Sequence, residues 1–118
     1  MRYGLRDSDL TCITDAVCQI EEIDECILFG SRAKGNYKRG SDVDLSIKGD
    51  RITFSTVSRL FGWLNEESPM PYFFDVVQYE TISNPKLIEH IDRVGIPLFT
   101  RVPRTETLPM AKAGVEQI

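Results

Sequence analysis

The sequence contains no apolar run near the ~20 residues that a membrane-spanning helix requires. Its first residues carry charges at Arg2, Arg6 and Asp7 and include no apolar segment typical of a secretory signal. We therefore expect no membrane association, and we expect a cytoplasmic location.

Cysteine and histidine are both scarce, with three cysteines and one histidine among 118 residues. An odd number of cysteines with no CxxC pair argues against a disulfide framework and against a zinc site. We expect Cys12, Cys18 and Cys26 to be small buried apolar side chains. The single histidine, His90, falls in a helical segment away from the motifs described below, so we interpret it as a surface or half-buried side chain without a catalytic role.

Basic residues are fewer than acidic ones, with 14 Lys and Arg against 18 Asp and Glu. The net charge is -4 and the sequence pI is about 5.0. Nucleic-acid binding depends on neutralising phosphates with basic side chains, so this balance argues against a nucleic-acid partner. The length predicts one domain, which we place at residues 1–102. Residues 103–118 have no clear periodicity and are expected to form a C-terminal tail that is flexible or ordered by a partner.

Apolar periodicity predicts the element order α-β-β-α-β-α-(β). Helices are expected at 9–23, 52–67 and 85–94, and strands at 26–29, 42–47, 72–79 and 96–99. Ser8 or Asp9 would cap the first helix, Asn84 would cap the last, and Gly95 would end that helix in the left-handed conformation. The fold class is α/β (α+β): a small mixed β-sheet with helices packed on one face.

One polar stretch carries the chemistry. Gly30 and Ser31 leave a buried strand, and after ten further residues Asp42-Val43-Asp44 opens the next strand. Glycine allows the backbone to approach an anionic group closely, and the first N–H groups of a helical turn at Ser31 favour a phosphate. Basic side chains in the same turn add positive charge. The candidate nucleotide-binding residues are Gly30, Ser31, Arg32, Lys34 and Ser41.

Asp42 and Asp44 are two residues apart on a strand, so both carboxylates project from one face. Such close like charges repel unless a cation lies between them, and Mg²⁺ is held by carboxylates together with substrate phosphates. A two-metal site needs one more carboxylate. Asp75 is the candidate, because it lies in an otherwise apolar strand where an unpaired carboxylate would be costly to bury.

Each of these motifs has an ordinary explanation when taken alone. Gly-Ser is common in loops, Asp-x-Asp is often a solvated strand face, and a lone aspartate can end a strand. The three in this order and spacing favour a joint site, with Asp42, Asp44 and Asp75 as catalytic residues and metal ligands.

Gly30-Ser31, ten intervening residues and Asp42-Val43-Asp44 resemble the signature of the DNA polymerase beta-like nucleotidyltransferase superfamily. The short length and the helix-Gly-strand ending at 87–99 resemble its minimal nucleotidyltransferase (MNT) antitoxin branch. The resemblance spans residues 9–100. It implies a nucleotidyltransferase fold, ATP as substrate and two Mg²⁺ ions held by Asp42, Asp44 and Asp75.

The resemblance also implies a partner, a cognate HEPN-domain toxin with which the chain would form a hetero-oligomer. In characterised pairs of this type the antitoxin can transfer AMP to a tyrosine of the toxin, so the resemblance implies protein adenylylation here. Two alternatives stay open: a binding module that neutralises its partner by occlusion, and a small-molecule nucleotidyltransferase. Addition of nucleotides to RNA ends conflicts with the acidic charge.

Overall fold

The computed structural model describes residues 1–102 of the chain, and the predicted tail at 103–118 lies outside them. The predicted order of elements is confirmed, including the final strand. A π-helical turn, Trp63–Glu67, continues α3, and a 3-10 turn, Tyr79–Thr81, follows β3. The elements are α1 (Asp7–Cys18), β1 (Glu25–Phe29), α2 (Gly30–Lys34), β2 (Val43–Lys48), α3 (Phe54–Gly62), β3 (Phe74–Gln78), α4 (Pro85–Val94) and β4 (Ile96–Thr100).

The four strands form one mixed sheet in the order β3-β2-β1-β4. β1 lies inside the sheet and is antiparallel to both β2 and β4. β2 and β3 are parallel, and α3 provides the crossover that a parallel pair requires. This topology places the C-terminal end of β1 beside the N-terminal ends of β2 and β3.

The two faces of the sheet carry separate apolar clusters. On the first face, the side chains of α1 and α3 cover alternate strand residues that include Leu28, Leu45 and Phe74, all fully buried. On the opposite face, Ile91 of α4 packs against Ile27 and its neighbours. The predicted fold class is confirmed, but the helices do not all lie on one face, because strand residues on both faces are apolar and each set needs a cover.

The ends of the helices differ in part from the prediction. α1 begins after Arg6, whose backbone N–H donates to Asp9 Oδ2 at 3.0 Å, so Asp9 occupies the third helical position and neither Ser8 nor Asp9 is the cap. α1 also ends earlier than predicted, at Cys18. Asn84 caps α4 as predicted, with its Oδ1 accepting from the Lys86 N–H at 2.9 Å.

Gly95 is not in the left-handed conformation that was predicted. Its φ of -59° and ψ of 139° lead directly into β4. A Cβ at this position would collide with the Ile91 carbonyl and lie 2.7 Å from Ile27 Cγ2. Glycine is required here because α4 and β1 approach each other closely, a packing constraint that helix-end statistics do not reveal.

The edge strand β3 is paired on its outer side by a side chain. Asn65 Nδ2 donates to the Phe74 carbonyl at 2.9 Å, and the Phe74 N–H donates to Asn65 Oδ1 at 2.8 Å. The π-helical turn holds Asn65 in this position, where it satisfies the backbone as a neighbouring strand would.

The cysteines are less uniformly buried than expected. Cys26 is fully buried in the sheet, and burial raises the pKa of its thiol to about 12. Cys12 is half-buried and Cys18 is exposed at the end of α1, where apolar burial is not required. No helix within residues 1–102 is long and apolar enough to cross a membrane.

Candidate active site

Two of the predicted carboxylates face each other across neighbouring strands. Asp44 on β2 pairs in parallel register with Asp75 on β3, on the face of the sheet opposite Leu45 and Phe74. Asp42 lies one residue before β2 and is exposed, so the strand starts later than predicted. Asp44 and Asp75 therefore lie side by side, as expected if the third strand runs beside the second.

Asp75 is exposed, whereas the prediction assumed that an apolar strand would bury it. β3 lies at the edge of the sheet and α4 covers only part of this face, which leaves the Asp75 carboxylate open to solvent. Its exposure makes it accessible to a group that approaches from outside.

The charge balance at Asp44 is unfavourable for ionisation. Burial raises the pKa of the Asp44 carboxyl, and the neighbouring charges of Asp75 and Asp42 raise it further. The positive charge of Arg32 acts in the opposite direction but is a weaker influence. A cation near Asp44 would relieve this repulsion.

The described carboxylates fit a magnesium ion by their chemistry. They supply only oxygen donors, and Mg²⁺ prefers one or two carboxylates together with substrate phosphates. Within residues 1–102, no three His, Cys, Asp or Glu side chains lie close enough together to hold a metal ion by themselves. The expected convergence of three carboxylates is thus incomplete, and the assignment of Asp42, Asp44 and Asp75 as ligands stays a prediction.

Gly30 lies directly beside Asp44, and Ser31 follows it in the first turn of α2. The antiparallel register pairs Phe29 with Asp44, and α2 begins at the next residue, Gly30, with a φ of +76°. A Cβ on Gly30 would collide with the Asp44 carboxylate. Glycine is therefore needed here both for the left-handed backbone and for the close approach.

Gly35 ends α2 in the left-handed conformation, with φ of 92°, and its N–H donates to the Ser31 carbonyl at 2.9 Å. This confirms the predicted short helical turn. Lys34, at the end of that turn, is exposed, whereas Ser31 is half-buried.

Arg32 occupies a place that its sequence position did not suggest. It is only 3% exposed, and its guanidinium donates to the carbonyls of Tyr3 at 3.0 Å and Gly4 at 3.2 Å. Two further bonds, of 3.1 and 2.7 Å, go to the Ser41 carbonyl. The guanidinium carbon also lies 5.5 Å from the centre of the Tyr37 ring.

These contacts join the N-terminal segment to the loop that precedes Asp42. All three guanidinium nitrogens of Arg32 donate to backbone carbonyls. The side chain is therefore not directed at a nucleotide, in contrast to the prediction from the sequence. The hydroxyl of Ser41, another predicted nucleotide-binding residue, accepts from the Lys38 N–H at 2.8 Å and thus also stabilises the loop.

His90 is close to the site, although the sequence placed it elsewhere. Its Nε2 accepts a hydrogen bond from the Gly30 N–H at 3.1 Å, and its ring packs edge-on against Phe29 at 6.1 Å. His90 is half-buried, as predicted, but it faces the motif rather than away from it. Sixty residues separate the two partners, and no local pattern signals such a contact.

Ser46 follows Asp44 on the same face of β2 and was not singled out from the sequence. Its side chain is fully buried, and its hydroxyl has no hydrogen-bond partner among the described residues. An unpaired hydroxyl of this kind lowers the stability of the folded state.

The sequence matches the family described as Polymerase beta, Nucleotidyltransferase over residues 12–104. No curated protein matches the chain significantly.

Solved structures with a similar fold include a toxin-antitoxin crystallised with AMP-PNP, at 18% identity over 84% of this chain and 82% of that chain, with a TM-score of 0.59. The toxin-antitoxin MntA-HepT is similar at 16% identity over 91% of this chain and 82% of that chain, with a TM-score of 0.62. A third is the MNT antitoxin complex with a tri-AMPylated HEPN toxin of Shewanella oneidensis, at 14% identity, 84% and 78% coverage and a TM-score of 0.54. At these identities the likeness shows a shared fold.

Proposed function

Since the chain belongs to the Polymerase beta, Nucleotidyltransferase family and is therefore a nucleotidyltransferase, we propose that it transfers AMP from ATP to a tyrosine of a HEPN-domain partner protein. The match covers most of the chain and confirms the superfamily that the Gly-Ser and Asp-x-Asp motifs indicated. The observation that carries the proposal is the pairing of Asp44 with Asp75 directly beside Gly30.

Each residue of this group has a role that its position supports. Gly30 and Ser31 bind the triphosphate, because both lie in the first turn of α2 and Gly30, which packs against the Asp44 carboxylate, has no Cβ to obstruct a phosphate. Asp42 and Asp44 hold Mg²⁺, with Asp75 as the third carboxylate. When bound, Mg²⁺ supplies charge stabilisation to the phosphates.

Asp75 also accepts the proton of the attacking hydroxyl. The tyrosine oxygen forms a bond to the α-phosphorus, the bond from that phosphorus to pyrophosphate breaks, and the tyrosine proton passes to the Asp75 carboxylate. The exposure of Asp75 at the edge of the sheet supports this role, since a side chain of another protein can reach it.

The acceptor is inferred from chemistry and from fold. The carboxylate face opens to solvent at Asp42 and Asp75, so the acceptor has to approach from outside the described domain. Structures that share this fold include a toxin-antitoxin with AMP-PNP and an antitoxin complex with an AMPylated HEPN toxin. A HEPN protein is therefore the first acceptor to test, with the chain as its antitoxin.

The test is an intact-mass measurement of a candidate HEPN-domain partner protein, after incubation with the chain and Mg²⁺-ATP. We expect one or more adenylyl groups on the partner with the wild-type chain, and none with the Asp42→Asn/Asp44→Asn variant. Unmodified partner that stays tightly bound would overturn the proposal in favour of neutralisation by occlusion. Labelled ATP offered with small-molecule acceptors would then test the remaining alternative.

Binding can be measured without any acceptor. Mg²⁺ with a non-hydrolysable ATP analogue should raise the melting temperature of the chain, since ligands that bind only the folded state stabilise it. The same double variant should show no rise, and an equal rise in both proteins would place the nucleotide elsewhere.

A further inference from the structure

His90 lies where α4 meets the nucleotide-binding motif. It is half-buried on α4, and the next residue, Ile91, is only 2% exposed in the apolar cluster against β1. Because Ile91 anchors this turn of the helix, the imidazole is held at a fixed distance from the end of β1. Its edge-on packing against Phe29, at an interplanar angle of 80°, restricts the ring further.

The hydrogen bond from the Gly30 N–H to His90 Nε2 constrains a residue with a positive φ. Gly30 has a φ of +76°, a conformation in which glycine has many alternatives of similar energy. The bond of 3.1 Å to Nε2 selects one orientation of the peptide group between Phe29 and Gly30. The ladder of β1 ends at Phe29, so this hydrogen bond adds a side-chain constraint to the peptide that joins β1 to α2.

The position of Gly30 in turn restricts the conformation of the Asp44 side chain. The Cα of Gly30 packs so closely against the Asp44 carboxylate that a Cβ would overlap it. A change in the Gly30 backbone would therefore move the surface against which Asp44 rests. The contacts run from His90 to Gly30 and from Gly30 to Asp44. Among residues 1–102, His90 makes no hydrogen bond to a carboxylate.

We propose that His90 is a positioning residue for nucleotidyl transfer, which fixes the Gly30 backbone through Nε2 and thereby holds Asp44 in its reactive orientation. This inference rests on the proposed function of the site. Partners that orient the groups of a metal site contribute about 10- to 100-fold to affinity or activity. We therefore expect loss of the acceptor to lower kcat about tenfold, with a smaller effect on KM for ATP.

Three variants separate the acceptor from the packing. His90→Phe keeps an aromatic ring against Phe29 but removes the acceptor nitrogen. His90→Gln supplies an amide oxygen that can accept from the Gly30 N–H in place of Nε2. Glu89→Gln, at an exposed position on the same helix, is the matched control.

The first readout needs neither metal nor nucleotide. Amide hydrogen exchange of Gly30, followed by NMR in the chain alone, should be slow in the wild type and in Glu89→Gln, and fast in His90→Phe. The second readout is kcat and KM for transfer to the HEPN partner. His90→Gln should retain both the protected amide and most of kcat.

The proposal requires that the variants with a protected Gly30 amide have a high kcat and that the variant with an unprotected amide has a low kcat. A His90→Phe variant with an unprotected amide and wild-type kcat would overturn it, and so would a low kcat in any variant whose amide stays protected. If the wild-type chain transfers nothing to the partner, the proposed acceptor fails. In that case the rise in melting temperature with Mg²⁺ and the ATP analogue replaces kcat. Across the variants, this rise must then be largest where the Gly30 amide is protected from exchange and smallest where it is not.

Discussion

Replacing Arg32 with Met tests whether this cation stabilises the fold or binds the nucleotide. The change keeps much of the apolar stem and removes four hydrogen bonds to the carbonyls of Tyr3, Gly4 and Ser41. Hydrogen bonds to a charged group contribute about 1.5–3 kcal/mol each, but these four share one side chain and three half-buried acceptors that water can reach. We therefore expect a total loss of about 3 kcal/mol in the free energy of unfolding.

The assay is urea denaturation followed by the fluorescence of Trp63, with a melting curve alongside. For a domain of this size a loss of about 3 kcal/mol lowers the melting temperature by roughly 12–24 °C. Lys34→Met, which removes an exposed cation two residues away, is the control and should change stability by less than about 0.5 kcal/mol. Arg32→Lys should fall between the two, because one ammonium group cannot replace the guanidinium at all three carbonyls at once.

Two results would refute this reasoning. An Arg32→Met protein as stable as Lys34→Met would show that the buried contacts of Arg32 contribute little. A protein of unchanged stability that has lost its stabilisation by Mg²⁺ and an ATP analogue would instead restore the sequence-based assignment of Arg32 to the nucleotide.

Three further predictions concern charge and burial. Burial and the charges of its neighbours raise the pKa of Asp44, so its ionised form destabilises the folded state at neutral pH. Asp44→Asn should therefore raise the free energy of unfolding in urea at pH 7, by less than about 1 kcal/mol because solvent screens this half-buried carboxylate, and lower stability would contradict this. Burial would raise the pKa of Asp9, but hydrogen bonds from Arg6 and from Tyr72, at 2.7 Å, outweigh burial and hold it below its ordinary value of 3.8. The stability contributed by Asp9 is thus present above pH 3.8 and is lost as the pH falls through the lower folded-state pKa. Asp9→Asn should therefore lower the free energy of unfolding by about 2 kcal/mol at pH 7 and make stability depend less on pH in the acid range. An unchanged acid dependence would contradict this role of Asp9. Ser46→Ala removes a buried hydroxyl that has no hydrogen-bond partner among the described residues. Differential scanning calorimetry should show a protein that is equally stable or about 1 kcal/mol more stable. A loss above about 1 kcal/mol would show that the hydroxyl does make a hydrogen bond.

Local patterns in the sequence were sufficient for the elements and for the central part of the site. The two-residue spacing of Asp42 and Asp44 predicted a strand with carboxylates on one face, and Asp44 lies on the face of β2 opposite Leu45. The Gly-Ser and Asp-x-Asp motifs meet because a short connection joins antiparallel neighbours. These features depend on spacing within about fifteen residues, which a single sequence displays directly.

Contacts between segments that are distant in sequence could not be predicted from such local patterns. Arg32 looked like a phosphate ligand because nothing near it in sequence reveals the carbonyls of Tyr3 and Gly4. His90 looked remote because the packing of α4 on the second face, which brings it to Gly30, depends on the whole sheet. Gly95 was assigned to a helix cap from local statistics, whereas its role is to allow α4 close to Ile27.

The pairing of β1 with β4 sets the order in which the sheet can be completed during synthesis. β1 can form its ladder with β2 soon after both have emerged, but its other edge pairs with Ile96–Thr100, near the end of the described chain. Until that strand arrives, an apolar inner strand presents unpaired backbone groups, which are a template for aggregation. Arg101 then fastens the late strand through hydrogen bonds to the carbonyls of Ile20 at 3.1 Å and Ile23 at 3.0 Å. A nascent or truncated chain that lacks this last strand is therefore the form most exposed to misassembly and proteolysis.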